Sequence, residues 1–248
     1  MRPFPTGGRT SQQKSRNNVL VIGVIAALCL VLLIAGGIAV KVSKSESKSA
    51  PPVPSRIRSE NELSQMLLTE ADLTYDWSEI ADADSSSKSD LCPGADNALS
   101  TLNKKYSNIT TATSRFAKSD SGPVTDEYIM SAGTNSLYSE LKSSVRSCIG
   151  KSWTVDNYDG TYDVTMNDES LPKFGSESFG VLLKIDSSYG QANVWMVVVR
   201  VDDVIVRYFF TELTYQLFGG RTNNSARFTK EEVTSIVRAG VDRVRKYS

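Results

Sequence analysis

The stretch "VWMVVVRVDDVIVRYFF", Val194 to Phe210, constrains the fold more than any other part of the chain. It is the most apolar run in the last two thirds of the sequence. As a membrane helix it would be short and would hold Arg200, Asp202, Asp203 and Arg207 near its centre, each costing a few kcal/mol to insert. As a hairpin turning at Asp202-Asp203 it is consistent throughout. Val201 then pairs with Val204, Val199 with Val206, Val197 with Tyr208, and Trp195 with Phe210. That face is wholly apolar. The other carries Val194, Met196, Val198, Arg200, Ile205, Arg207 and Phe209, with the two arginines as diagonal neighbours. The stretch therefore reads as the middle of a folded domain.

A second apolar run has the opposite character. Val19 to Val40 holds no charge, which is long enough for a bilayer core of ~30 Å at ~1.5 Å per residue. Arg2, Arg9, Lys14 and Arg16 precede it without an acid, which favours a cytoplasmic N-terminus. Lys41, Lys44 and Lys48 follow it and blur that bias. The rival reading is a cleaved signal peptide, but the run exceeds the usual apolar core of ~7–15 residues. Cys29 lies mid-span behind Leu28, where a lipid-modified cysteine would follow a small residue, so it reads as a small apolar side chain.

The division of the chain follows: 1–18 a basic cytoplasmic leader, 19–40 a transmembrane helix in the lipid bilayer, 41–58 a Ser/Lys/Pro-rich linker, and 59–248 one extracytoplasmic domain. The whole chain is electroneutral, with 28 basic and 28 acidic residues. Nine basic residues and one acid fall up to Arg58, leaving 19 basic against 27 acidic, a net −8, from Ser59 onward. Such a domain is a poor partner for nucleic acid or anionic lipid. There is no histidine, which excludes Ser-His-Asp and Cys-His catalysis and histidine-based zinc sites. Serines near glycines in "GTNSL" and "FGSESFG" lack nucleophile-elbow spacing. No cofactor and no metal site is expected. Asp156, Asp159, Asp163, Asp168 and Glu169 crowd one turn, yet Gly160 directly after Asp159 breaks the calcium-loop pattern.

Helical periodicity marks four segments. Ser59 and Glu62 have capping-box spacing ahead of Leu63, Met66 and Leu67. "CPGADNALSTLNKKY" carries a stripe from Ala95 to Tyr106. Leu137, Leu141, Val145, Cys148 and Ile149 share a face closed by Gly150. Thr229 and Glu232 form a second capping box ahead of Val233, Ile236, Val237, Val241 and Val244. Between them the period is two, in "RFAKSD", "TDEYIM", "SWTVDNY", "TYDVTM", "ESFGVLLKID" and the two arms of the hairpin. The expected fold class is α+β: an antiparallel sheet with helices packed on one face, preceded by one transmembrane helix.

The order of "MLLTEADL…W", "LCPG", "LKSSVRSCIG", "FGVLLKI" and "VWMVVVRVDDVIVRYF", closed by a C-terminal helix, resembles the PknH-like extracellular sensor domain family of mycobacteria and related actinobacteria. The resemblance runs from about Glu60 to Tyr247. It implies a domain outside the membrane, found on receptor Ser/Thr kinases and also on lipoproteins and single-pass proteins. It further implies an antiparallel sheet with helices around a ligand groove. This chain has no kinase motifs, so signalling by phosphorylation is not encoded in it; with no nucleophile elbow and no histidine to serve as base, it is expected to be no enzyme. Family members often carry two disulfides. Here the domain holds only Cys92 and Cys148, which implies one bridge.

The implied role is to bind or sense an unidentified envelope ligand; the alternative is a non-enzymatic protein that docks on an envelope partner. Met196, Arg200, Arg207 and Phe209 on the mixed hairpin face are the candidate ligand-binding residues. Apolar side chains there would hold a tail and the guanidiniums an anionic head. Alternatively the arginines pair with local acids and the patch lies inside the domain. For orientation the expected outcome is concrete. Protease added to intact cells removes a C-terminal tag and spares an N-terminal one; the reverse pattern contradicts a cytoplasmic N-terminus.

Overall fold

The hairpin has the register that its alternating side chains demand. Val201 faces Val204, Val199 faces Val206, Val197 faces Tyr208 and Trp195 faces Phe210. Asp202 turns the chain at φ 52°, a left-handed conformation that aspartate accepts more readily than most residues.

The computed structural model describes residues 56–74, 76–80, 92, 105–106, 108–118, 123–134, 136–157, 160–187, 190–213 and 227–248. The Val19–Val40 segment, Cys29 and most of the stripe from Ala95 to Tyr106 lie outside them. Among the described residues no helix is long and apolar enough to cross a membrane. The elements are α1 (Glu60–Met66), a 3-10 turn (Glu70–Asp72), β1 (Ser78–Glu79), β2 (Thr110–Ala117), β3 (Val124–Ser131), α2 (Ser136–Arg146), β4 (Ser152–Asn157), β5 (Gly160–Glu169), β6 (Glu177–Ser187), β7 (Gly190–Val201), β8 (Val204–Leu213) and α3 (Lys230–Tyr247).

All eight strands join one antiparallel sheet in the order β1-β2-β3-β8-β7-β6-β5-β4. The order explains the role of α2. After β3 the chain must cross the sheet to its far edge, and the meander β4 to β8 then walks back to pair β8 with β3. The crossing runs over one face and carries α2 with it. Leu137, Tyr138, Leu141 and Val145 of α2 share a buried cluster with Phe179, Val181, Met196 and Val198. On the opposite face Leu63 and Met66 of α1, with Val233, Val237, Val241 and Val244 of α3, share a second cluster with Val197, Val199, Val206 and Phe210.

Helices therefore cover both faces, and the expectation of helices on one face alone is corrected. The physical reason lies in β7 and β8. Val194, Met196 and Val198 point one way and Val197, Val199 and Val201 the other, all of them buried. Strands apolar on both sides need a layer on each.

The two capping boxes start α1 and α3 as expected, whereas α2 ends at Arg146, ahead of the expected close at Gly150. Glu62 N–H donates to Ser59 Oγ at 3.3 Å while Ser59 N–H donates to Glu62 Oε2 at 2.8 Å. Thr229 and Glu232 repeat this reciprocal cap at 3.1 and 3.0 Å. Cys92 and Cys148, 56 positions apart in the sequence, form a disulfide, which in the chain-entropy view contributes about 4 kcal/mol. The bridge ties the segment ahead of β2 to the end of α2.

The folded unit begins earlier than Ser59. Arg58, assigned from sequence to the linker, is only 6% exposed. Its Nε and Nη2 donate to Asp203 Oδ2 and Oδ1 at 2.9 and 2.7 Å, a two-pronged contact with the β7–β8 turn, and its N–H donates to Ser131 Oγ at 3.2 Å. Breaking a buried pair from one side leaves an unmatched charge, so R58A is expected to lower stability by about 3 kcal/mol. Urea unfolding of R58A, D203A and the double variant checks this: the double variant is expected to cost no more than either single one, and additive losses would contradict the pairing.

Candidate functional site

The four candidate ligand residues do fall on one face. Met196 stands opposite Phe209, Val198 opposite Arg207 and Arg200 opposite Ile205, so the arginines are diagonal neighbours as read from sequence. This is the face that α2 covers, and Tyr138 meets Phe179 there edge-on at 6.0 Å between ring centroids. Met196, Arg207 and Phe209 are consequently interior, with Arg207 only 1% exposed. The Arg207 guanidinium lies 5.0 Å from the Tyr128 ring centre and 5.1 Å from that of Phe209. Such stacking spreads a cation's contact over two aromatic faces.

Arg200 alone of the four reaches the rim. Its guanidinium meets Glu177 at 3.2 Å and Ser176 Oγ at 3.2 Å. The segment before β6 is pinned against it, because Ser176 N–H and Oγ both donate to the Arg200 carbonyl, at 2.9 and 3.0 Å. Gly175 makes that approach possible: its φ is +54° and a Cβ there would run into the same carbonyl. The structure thus brings Met196, Arg207 and Phe209 together inside the domain and leaves Arg200 at its edge. A buried charge pair shares this face, Arg115 Nε to Asp126 Oδ1 at 3.1 Å between β2 and β3. Sequence reading put both residues in strands and gave neither a role.

The opposite face holds a carboxyl that sequence reading also passed over. Glu127 of β3 is buried beneath α3. Its Oε2 accepts from Leu68 N–H at 2.6 Å and from Ser114 Oγ at 3.1 Å. Tyr208 is its register partner on β8. Burial pushes the Glu127 carboxyl up to about 7, against the opposing pull of the Leu68, Ser114 and Tyr208 contacts and the Arg243 charge. Burial, with the nearby carboxylate, drives the Tyr208 hydroxyl well above its usual range. The one available signal was the acid at an alternating position of "TDEYIM", which an ordinary solvated strand would also show.

The acidic turn is a hairpin. Asp156 accepts from Thr161 Oγ1 and Asp163 from Thr154 Oγ1, each at 2.9 Å; Asp159 lies outside the described residues. Among the described residues no three acidic or cysteine side chains come together as a metal site would require.

No family model matches the chain, and no curated protein does. The crystal structure of the extracellular domain of PknH from Mycobacterium tuberculosis matches with a TM-score of 0.52 at 15% identity, over 77% of this chain and 99% of that one. The two share a fold. A Mycobacterium smegmatis protein, the Rv0999 ortholog, matches over 75% of this chain and 96% of its own, at 12% identity and a TM-score of 0.42.

The Glu127 site makes a packing prediction. A Cβ on Gly240 of α3 would strike the Tyr208 hydroxyl and lie 3.1 Å from Glu127 Oε1. Alanine gains about 1 kcal/mol of helix propensity over glycine, while overpacking costs about 1–3 kcal/mol. G240A is therefore expected to be destabilising in the wild type and at least 1 kcal/mol less so in a Y208F background, where the hydroxyl is gone. Equal effects in both backgrounds, read from unfolding midpoints, would contradict the contact.

Proposed function

We propose that the chain is a non-enzymatic, single-pass membrane protein of the bacterial envelope whose C-terminal domain lies outside the cell and binds or senses an envelope ligand. Support for the sensing role comes from the fold held in common with the PknH extracellular domain across nearly all of that domain. The Cys92–Cys148 bridge is consistent with an oxidising, external location. The uncharged run Val19–Val40 would anchor it in the lipid bilayer, with the basic leader inside.

Within this reading Arg200 is the accessible cation, and Met196, Arg207 and Phe209 form the packed floor behind it. The burial of those three favours a second reading, in which the domain docks on an envelope protein through its outer surface and holds no small ligand. Thermal-shift titration of the full-length chain with anionic phospholipid micelles and with peptidoglycan fragments separates the two. A saturable rise in melting temperature with one probe, reduced in R200Q, supports ligand binding. No shift with any probe, together with a stoichiometric cross-linked partner in intact membranes, supports docking and removes the ligand reading.

A further inference from the structure

Glu127 stands where the sheet, the segment leaving α1 and helix α3 meet. Its Oε2 takes hydrogen bonds from Leu68 N–H, two residues past the end of α1, and from Ser114 of β2. Tyr208 of β8 faces it, and Gly240 of α3 closes over the pair. We propose that Glu127 is a proton-dependent latch: with its carboxyl neutral, α3 and the Leu68 segment stay closed on the sheet, and with its carboxyl ionised that layer opens more often.

The charges around it decide the direction. From α3 comes Arg243, already engaged with Asp72 of the 3-10 turn at 3.1 Å. From β8 comes the Tyr208 hydroxyl, held neutral by burial. Near Glu127, β2 offers the uncharged Ser114, since Arg115 alternates to the opposite face. From α1 come Leu63 and Met66, while Glu60 is exposed and Glu62 is engaged in the N-terminal cap. Among the described residues a single shared cation thus offsets an anion buried in an apolar layer, and an isolated buried carboxylate is costly.

In an opened layer the carboxyl meets water and regains its ordinary value near 4.5, against about 7 when closed. The closed form therefore holds its proton more tightly than the open one. Its advantage is complete below about 4.5 and is lost as pH rises through about 7. Opening should grow by about tenfold per pH unit between these values and level off above them. The Leu68 segment is joined to Arg56–Ser59 through α1, so the latch lies one short helix from the point where the chain enters the domain. The latch does not rest on the ligand-binding reading and survives its failure.

Hydrogen exchange of the full-length chain between pH 5 and 8, corrected for intrinsic rates, tests it. In the wild type the opening constant of peptides containing Leu68 and residues 233–244 is expected to rise on the order of 50-fold or more, as the linkage requires. In E127Q it is expected to stay flat, because glutamine keeps the acceptor without the charge. Peptides from β6 serve as an internal control and should not respond. A pH-independent opening in the wild type, or the same slope in E127Q, overturns the latch. Should E127Q not fold, the Glu127 carboxyl carbon is followed by NMR in the wild type. A midpoint near 7 shared with the exchange profile of the Leu68 amide supports the latch, and a midpoint near 4.5 or unlinked profiles overturn it.

Discussion

The double-sided apolar character of the β7–β8 hairpin governs the architecture. A strand pair that is polar on one side can rest on a single layer and leave the other face to water. This pair cannot, because Met196 and Val198 on one side are as buried as Val197 and Val199 on the other. One layer comes from the crossover that any return to β3 requires, and α2 is carried on it. The other comes from the two ends of the domain, α1 and α3, which meet on the opposite face. The disulfide then fastens the end of the crossover to the segment ahead of β2. Topology and hydrophobic burial agree, which is the condition for a single stable arrangement.

Enclosing the sheet on both sides has an electrostatic consequence. Side chains that would be solvated on an open sheet become interior here. Arg115 and Asp126 answer this by pairing. Arg207 sets its guanidinium against the rings of Tyr128 and Phe209. Glu127 answers it through hydrogen bonds and a carboxyl pushed up toward neutrality. All these groups belong to β2, β3 and β8, so buried polar chemistry is concentrated in the half of the sheet next to β1. The β4–β5 hairpin at the far edge instead keeps Thr154, Asp156, Thr161 and Asp163 exposed and paired across the strands.

Entry of the chain into the domain is held just as tightly. The Arg58–Asp203 fork joins the first described residues to the tip of the central hairpin. Only a few residues later, Leu68 is bonded to Glu127 beneath α3.

Sequence alone determined the course of β3 to β8, the hairpin register and both helix caps, whereas β1 carried no signal and "RFAKSD" overlaps β2 only at Arg115–Ala117. What it determined depends on spacings of two to four residues, where backbone geometry leaves one answer: a one-residue slip at Val199 or Val206 would turn every apolar side chain of the hairpin over. It also marked Met196, Arg200, Arg207 and Phe209 as sharing a face. Which layer covers that face was decided by the tertiary structure, because the α2 stripe specifies a buried side without naming its partner. Arg58 and Asp203 are 145 residues apart and read locally as a linker cation and a turn acid. Glu127 reads locally as a solvated strand acid, and only the closure of α3 over Tyr208 takes it out of water. Period and capping are local and visible in the chain; burial of a charge depends on what the rest of the fold brings on top of it.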